Sequence, residues 1–396
     1  MDYLPLYKAH FISDINEKEL YDIRFNSSNT LHFSIPVHHK ESFLYFNNEL
    51  LVLMEQIYVL NSKIVKKRNK IKTDLINVWE LSHCLVEEIM LSNEIEGIVS
   101  TRKEINELLD IKNPKEYKRL YGMVNKYRDI FFQKKEFEPI TDSSKLRKIY
   151  DDILIQDIKN DEPNNLPDGV FFRKESVNVV SSTKIIHQGI YPENKIIQYI
   201  DNALSILNDS KLPYLIRVAL FHYYLGYIHP FYDGNGRITR YLSSYYLSTV
   251  LDSMVSLRLS IACKKRQKDY YDMFKITNDP RNQGDLTYFV LMFLDIFKEG
   301  LEDYLNELTD KVNQYTYYEN KQLHLNLDHS SAMILNIIID YTLFHLKNIS
   351  IKELVELTHL STSTISHRIG ILEKNNYIIR NKTGRQISFS FNLNAL

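Results

Sequence analysis

The stretch His229-Pro230-Phe231-Tyr232-Asp233-Gly234-Asn235-Gly236-Arg237-Ile238-Thr239-Arg240 decides how this chain is read. Before it, Leu215 to Ile228 contains no proline, and Leu215, Val218, Ala219, His222, Leu225, Gly226 and His229 recur at the spacing of one helical face. Pro230 and the Gly234–Gly236 pair stop that helix and force a tight loop, and from Ile238 the residues Tyr241, Leu242, Tyr245 and Tyr246 restart a helix. A loop that feeds a helix N-terminus offers free N–H groups and the positive end of the helix dipole to an anion. Glycine at 234 and 236 lets the backbone approach a phosphate closely, and Asn235 carries a side-chain N–H for the same oxygens. Asp233, just before the glycines, is placed to hold Mg²⁺ on a diphosphate. Arg237 and Arg240, three apart, share a helix face and present two guanidinium forks to a polyphosphate. At the end of the incoming helix, a neutral His229 can take a proton from an attacking hydroxyl.

The whole string resembles the signature of the Fic family, His-Pro-Phe-x-Asp/Glu-Gly-Asn-Gly-Arg-x-x-Arg, and every fixed position is present. The resemblance implies a protein adenylyltransferase, which moves AMP from ATP to a hydroxyl of a target protein and releases pyrophosphate. It assigns His229 as the base on the target hydroxyl and Asp233 as the Mg²⁺ ligand between the α- and β-phosphates. Gly234, Asn235 and Gly236 become the anion hole, and Arg237 and Arg240 hold the β- and γ-phosphates. Mg²⁺ is then the cofactor and ATP the co-substrate.

Other segments extend this resemblance. Phe172-Arg173, Val177 to Val180, a polar turn at Ser181 to Lys184 and Ile185 to His187 suggest a short β-hairpin. In the family such a hairpin is the flap, which holds the target segment by strand pairing. Downstream, Tyr271 and Asn278 lie seven apart on one face of a helix that begins near Asp269, and they match family positions that contact adenine. The Asp279 to Asn282 segment separates Asn278 from Gly284 and Asp285 like an insertion.

A second motif lies upstream, at Ser92-Asn93-Glu94-Ile95-Glu96-Gly97. Val78, Ser82, Leu85, Ile89, Ser92 and Glu96 follow a three-four spacing, which predicts one inward helix face from about Asp74 to a stop at Gly97. An inward carboxylate needs a cation. The segment is similar to the inhibitory Fic motif, Ser/Thr-x-x-x-Glu-Gly/Asn. There the glutamate pairs with the second motif arginine and blocks the γ-phosphate, so the resemblance pairs Glu96 with Arg240.

Composition sets the frame. At 396 residues the chain is long enough for two or three domains. A net charge of −1 favours neither nucleic acid nor membrane as a global partner. Two cysteines, Cys84 and Cys263, give neither a disulfide framework nor zinc spacing, which fits a reducing cytoplasm. Met1 to Asp14 lacks a signal-peptide core, and no run is apolar enough to span a membrane. The basic run from Lys63 to Lys72 reads as a solvated helix face.

The expected fold is mainly all-α: a Fic-type helical core with a β-hairpin flap, plus a C-terminal winged helix-turn-helix. Residues 1–75 form an N-terminal region with an extended start and a helix around Glu41 to Lys72. Residues 76–310 carry the inhibitory helix (near 74–97), the flap and the catalytic region. The polar stretch Asn313 to Asp328 marks a boundary before 329–396. In that last unit, helices at Ser330–Leu343, Ile351–Leu357 and Ser361–Asn375 precede a two-stranded wing around Ile378 and Ile387. From Ile351 to Leu396, six Lys and Arg face three acidic residues, a net of +3. Ser363, Thr364, Ser366, His367 and Arg368 can reach phosphates or bases, while winged helices also dimerise or dock proteins. The implied partners are therefore a target protein with an acceptor hydroxyl, the chain itself as a target, a second copy of the chain, and DNA. Two other readings are a DNA-binding regulator whose core senses a nucleotide, and a related enzyme that removes AMP or transfers another nucleotide moiety.

Overall fold

In Leu31 to Val37, Phe33, Ile35 and Val37 alternate with more exposed residues, and this period-two pattern forms strand β1 (Thr30–Val37). It pairs antiparallel with β2 (Lys40–Tyr45). The helix expected from about Glu41 therefore starts later, as α1 (Asn48–Arg68), because Ser42, Phe43 and Leu44 are buried within the hairpin. The computed structural model describes residues 3–111, 114–133, 136–181, 184–345 and 347–395. They are mainly helical and form two compact units: Met1–Asn61 with Leu85–Glu302, and Ser62–Cys84 with Asp303–Leu396.

In the first unit, α2 (Val86–Ile95) follows a π-helical turn at Glu80–Leu85. The expected inward face holds at Leu85, Ile89 and Ser92. Upstream, the buried residues are Ile76, Trp79 and Glu80, while Val78 and Ser82 are only half-buried. The extra residue in the π turn rotates the face by about one position. The unit continues with α3 (Tyr121–Phe131), α4 (Ser143–Tyr150), strands β3 (Asn178–Ser181) and β4 (Lys184–Gln188), α5 (Glu193–Asn208), α6 (Tyr214–Ile228), α7 (Asn235–Leu247), α8 (Leu259–Lys265) and α9 (Gln267–Thr277). Helix α6 is buried on nearly every face and packs against α5 and α7, which makes it the centre of this core. The β3–β4 hairpin is antiparallel, with Asn178 opposite Gln188 and a register shift between Val179 and Val180. Its expected polar turn includes Ser182 and Thr183, which lie outside the described residues.

Helix α10 spans Thr287–Leu323, so the polar stretch read as a boundary is helical through most of its length. In the second unit, α11 (His329–Phe344), β5 (Ile349–Ser350), α12 (Ile351–Thr358), α13 (Thr362–Lys374), β6 (Ile378–Thr383) and β7 (Gln386–Phe391) follow in order. The strands form one antiparallel sheet in the order β5-β7-β6. Ile334, Ile338, Leu354, Ile365, Ile369, Leu372, Phe389 and Phe391 fill its core. A capping box between Ser350 and Glu353 starts α12, and Ser361 caps α13. Among the described residues, no helix is long and apolar enough to cross a membrane.

Candidate active site

Helix α6 ends at His229, whose φ of 53° is left-handed and turns the chain into the loop before α7. The loop is held from several sides. Tyr150 stacks on the buried Phe231 ring with centroids 3.6 Å apart, and its hydroxyl donates to the Asp233 carbonyl at 3.0 Å. Gly234 has a φ of 79°, and a Cβ there would meet Leu154 Cδ1 at 2.5 Å. The Asn235 side chain, expected to donate to an anion, instead braces the loop: it accepts from the Phe231 N–H at 3.0 Å and donates to the Phe231 carbonyl at 2.8 Å. Helix α7 starts at Asn235 rather than Ile238, so both Asn235 and Gly236 present backbone N–H groups in its first turn.

Asp233 accepts from the Gly234 N–H at 2.6 Å and pairs with Arg237 Nη2 at 2.8 Å. Arg237 is almost fully buried, and its Nε has no hydrogen-bond partner among the described residues.

The pairing expected between the two motifs is present in the structure. Arg240 Nη1 lies 2.9 Å from Glu96 Oε1, while its Nε and Nη2 donate to the Ser92 hydroxyl and carbonyl at 3.1 and 2.7 Å. Burial falls on the arginine, however: its side chain is 0% exposed, and that of Glu96 is 31% exposed. Glu96 is the C-cap residue of α2, so its side chain leaves the helix end at the surface, while Arg240 arises from the interior of α7. Burial opposes the Arg240 charge, but the Glu96 carboxylate, together with Tyr270 and Cys263, outweighs it and keeps the guanidinium protonated. A Schellman closure places the carboxylate: Gly97, at φ 75°, donates to the Glu94 carbonyl and Ile98 to the Asn93 carbonyl. The carboxylate lies directly over the loop glycine, for a Cβ on Gly236 would stand 2.0 Å from Glu96 Oε1. Glu96 thus sets a carboxylate beside the first turn of α7.

His229 is half-buried, and its Nδ1 lies 3.4 Å from the Gly226 carbonyl. A proton on Nδ1 leaves Nε2 as an acceptor. Burial pushes the imidazole down to about 4, with the Arg173 guanidinium adding to the fall and the Gly226 carbonyl, Glu96 and Asp233 opposing it. The ring is neutral at pH 7.

Of the remaining expected residues, Tyr271 donates to the Ile95 carbonyl at 2.9 Å and so touches the end of the helix that carries Glu96. Asn278 is buried at the C-cap of α9 and accepts from the Tyr223 hydroxyl at 2.8 Å. Asp285, on the segment that follows, is buried against Tyr3 and Arg24. Three residues that bear on the site carried no motif. Arg173 donates to the His229 carbonyl, and Tyr150 supports the loop. Glu88 on α2 accepts from the Ser260 and Ile261 N–H groups at the start of α8, and burial pushes its carboxyl up to about 7.

Residues 140–247 match the Fic/DOC family profile. The protein adenylyltransferase Fic of Drosophila virilis is 32% identical over 119 residues, which is 30% of this chain and 23% of that protein. The Drosophila melanogaster counterpart is also 32% identical, over 22% of its length. The match therefore spans less than a quarter of these relatives. A Fic family protein from Desulfovibrio desulfuricans G20 superposes with a TM-score of 0.55 at 17% identity, covering 88% of this chain and 97% of the other. That likeness establishes the fold.

Proposed function

Because the chain carries a Fic/DOC domain, we propose that it is a protein adenylyltransferase held inactive by its own Glu96. The observation that carries this reading is the Glu96 carboxylate lying over Gly236 and on Arg240, where a nucleotide phosphate belongs. In the proposed reaction, the acceptor hydroxyl oxygen attacks the α-phosphorus of ATP. The bond to the β-bridging oxygen breaks, pyrophosphate leaves with the electron pair, and the hydroxyl proton passes to His229 Nε2. A neutral imidazole can take that proton, although its low basicity leaves most of the rate enhancement to positioning and charge stabilisation. The α7 N–H groups, Arg237 and Arg240 supply that stabilisation.

The donor set fits Mg²⁺. Among the described residues no cluster of three potential metal ligands exists. A single carboxylate beside a phosphate cradle is how Mg²⁺ is held when substrate phosphates and water complete its octahedron. Asp233 would hold it, after exchanging its pairing with Arg237, and bound Mg²⁺ would neutralise phosphate charge.

The C-terminal unit is read as a winged helix that docks a protein partner. Three of its six basic groups from Ile351 onward are paired within the unit: Arg368 with Asp328 at 3.0 Å, Arg380 with Glu373 at 2.7 Å and Lys352 with Glu356 at 3.9 Å. That leaves a weak electrostatic footprint for DNA.

Intact-mass measurement of the Glu96→Gly protein after incubation with Mg²⁺ and ATP tests the main reading. A gain of one AMP is expected. Gain of a phosphate, or no gain on itself or on any lysate protein, would count against adenylyl transfer.

A further inference from the structure

Arg173 is fully buried, yet among the described residues it forms no ion pair. Its partners are main-chain carbonyls. Nε donates to His229 at 2.9 Å, Nη1 to Glu175 at 2.6 Å, and Nη2 to Ile190 at 2.8 Å and to Ile228 at 3.5 Å. Glu175 precedes β3 and Ile190 follows β4, so one planar fork grips both ends of the hairpin and the residue that carries the imidazole. Main-chain bonds run alongside: Arg173 N–H to the Pro230 carbonyl at 3.2 Å, Ile190 N–H to the Ile228 carbonyl at 3.1 Å, and Gly189 N–H to the Val177 carbonyl at 3.0 Å. Gly189 closes the arrangement, since a Cβ there would stand 2.5 Å from Arg173 Nη2 and 3.3 Å from His229 Cβ.

A desolvated cation without a counter-charge is an expensive way to join two loops. An apolar side chain would fill the space, but it would leave three carbonyls unpaired and fix no angle between hairpin and loop. A guanidinium fixes that angle, because its donors diverge in one rigid plane.

We propose that Arg173 is a positioning residue for the transfer reaction, tying both ends of the hairpin to the main chain of His229 so that an acceptor segment paired on the hairpin presents its hydroxyl to the imidazole. This rests on the adenylyl-transfer reading. It gives the hairpin a fixed register against the base, which strand pairing alone does not supply. It also puts a permanent positive charge beside the ring; Arg173, Glu96 and Asp233 are the charged groups that bear on His229.

The test uses the full chain in the Glu96→Gly background, with Arg173→Lys, Arg173→Gln and Gly189→Ala. Arg173→Lys keeps the charge and loses the fork, Arg173→Gln loses the charge, and Gly189→Ala keeps the arginine but crowds it. In all three, kcat/KM for a protein acceptor should fall about tenfold to a hundredfold, with ATP affinity by calorimetry unchanged. The acidic limb of the pH profile should move upward in Arg173→Gln alone. Hydrogen exchange should quicken at the hairpin amides and stay unchanged in α6 and α7. Unchanged acceptor kinetics in a folded Arg173→Gln, or equal losses in ATP affinity and acceptor kcat/KM, would overturn the proposal. So would global unfolding of all three variants, which would make the role purely structural. The exchange measurement needs no activity. If the Glu96→Gly parent transfers no AMP, the adenylyl-transfer reading fails, and uniform exchange across hairpin and core then removes the tie as well.

Discussion

Replacing Glu96 with glycine removes a carboxylate that holds Arg240 at 2.9 Å and covers Gly236. Breaking a fully buried ion pair costs about 3–5 kcal/mol, while an exposed pair is worth less than about 1 kcal/mol. Here one side chain is 0% and the other 31% exposed, so the hold lies between these limits. A value of about 2 kcal/mol corresponds to about a 30-fold change in an equilibrium constant. If the carboxylate and a γ-phosphate compete for the same guanidinium, as proposed, that is the expected gain in initial AMP-transfer rate, including transfer onto the chain itself. The unliganded variant should also melt several degrees lower, since Arg240 loses its carboxylate partner and keeps its bonds to Ser92. Mg²⁺ and a non-hydrolysable ATP analogue should restore more of the melting temperature in the variant than in the wild type, because the phosphate replaces the lost anion. Initial rates are compared for wild type, Glu96→Gly, and Glu96→Gly with Arg240→Ala. Equal rates for the first two on every acceptor, themselves included, would refute the reasoning. A fast double variant would refute the part assigned to Arg240.

His229→Ala should abolish transfer while calorimetry still detects ATP, since the imidazole acts on the hydroxyl. Because the ring titrates near 4, kcat/KM of the activated enzyme should stay level from pH 8 to about 5 and fall near pH 4 if His229 is the base; an acid limb at 6.5 would contradict that depressed value. The depressed value also carries a sign for stability: the unfolded chain binds this proton first, so the contribution is intact above pH 6.5 and is lost as pH falls towards 4. For Glu88 the sign reverses. Its carboxyl is raised from 4.5 to about 7, so ionisation destabilises the fold as pH rises through that window. Glu88→Gln should match wild type near pH 4.5 and exceed it at pH 8 by up to about 3 kcal/mol in denaturant melts; no difference at pH 8 would contradict the burial argument.

The candidate site was legible because most of it is contiguous. Twelve residues from His229 to Arg240 build the turn, the first turn of α7 and both guanidinium groups. The Glu96–Arg240 pair was legible because the chain marks both ends, with Gly97 stopping the helix and the arginine in a fixed register after the loop. The tie through Arg173 was not, because every partner is a main-chain carbonyl and no side-chain pattern announces it. Asn235 was assigned to the anion because its type suits it, but only the fold reveals that the Phe231 backbone takes its amide. Upstream of α2, the three-four spacing misplaced the buried face because a π turn inserts one residue without changing composition. The β1–β2 hairpin carried a readable alternation at Phe33, Ile35 and Val37, which the helical periodicity of the next segment obscured.

The absence of a side chain at position 236 has a consequence for heredity. The space over its Cα holds the Glu96 carboxylate and, on the proposed reading, takes a phosphate in turn; a side chain there would meet Glu96 Oε1 at 2.0 Å and Arg240 Nη1 at 3.0 Å and so crowd either anion. On that reading, restraint and activity share one residue in the first turn of α7, whereas on α2 the restraint stands alone. A selection for spontaneously active forms of this protein should return changes at Glu96 and Gly97 and none at Gly236. On the proposed reading, loss of control is a lesion of one short helix end, separable by a single codon from the apparatus it governs.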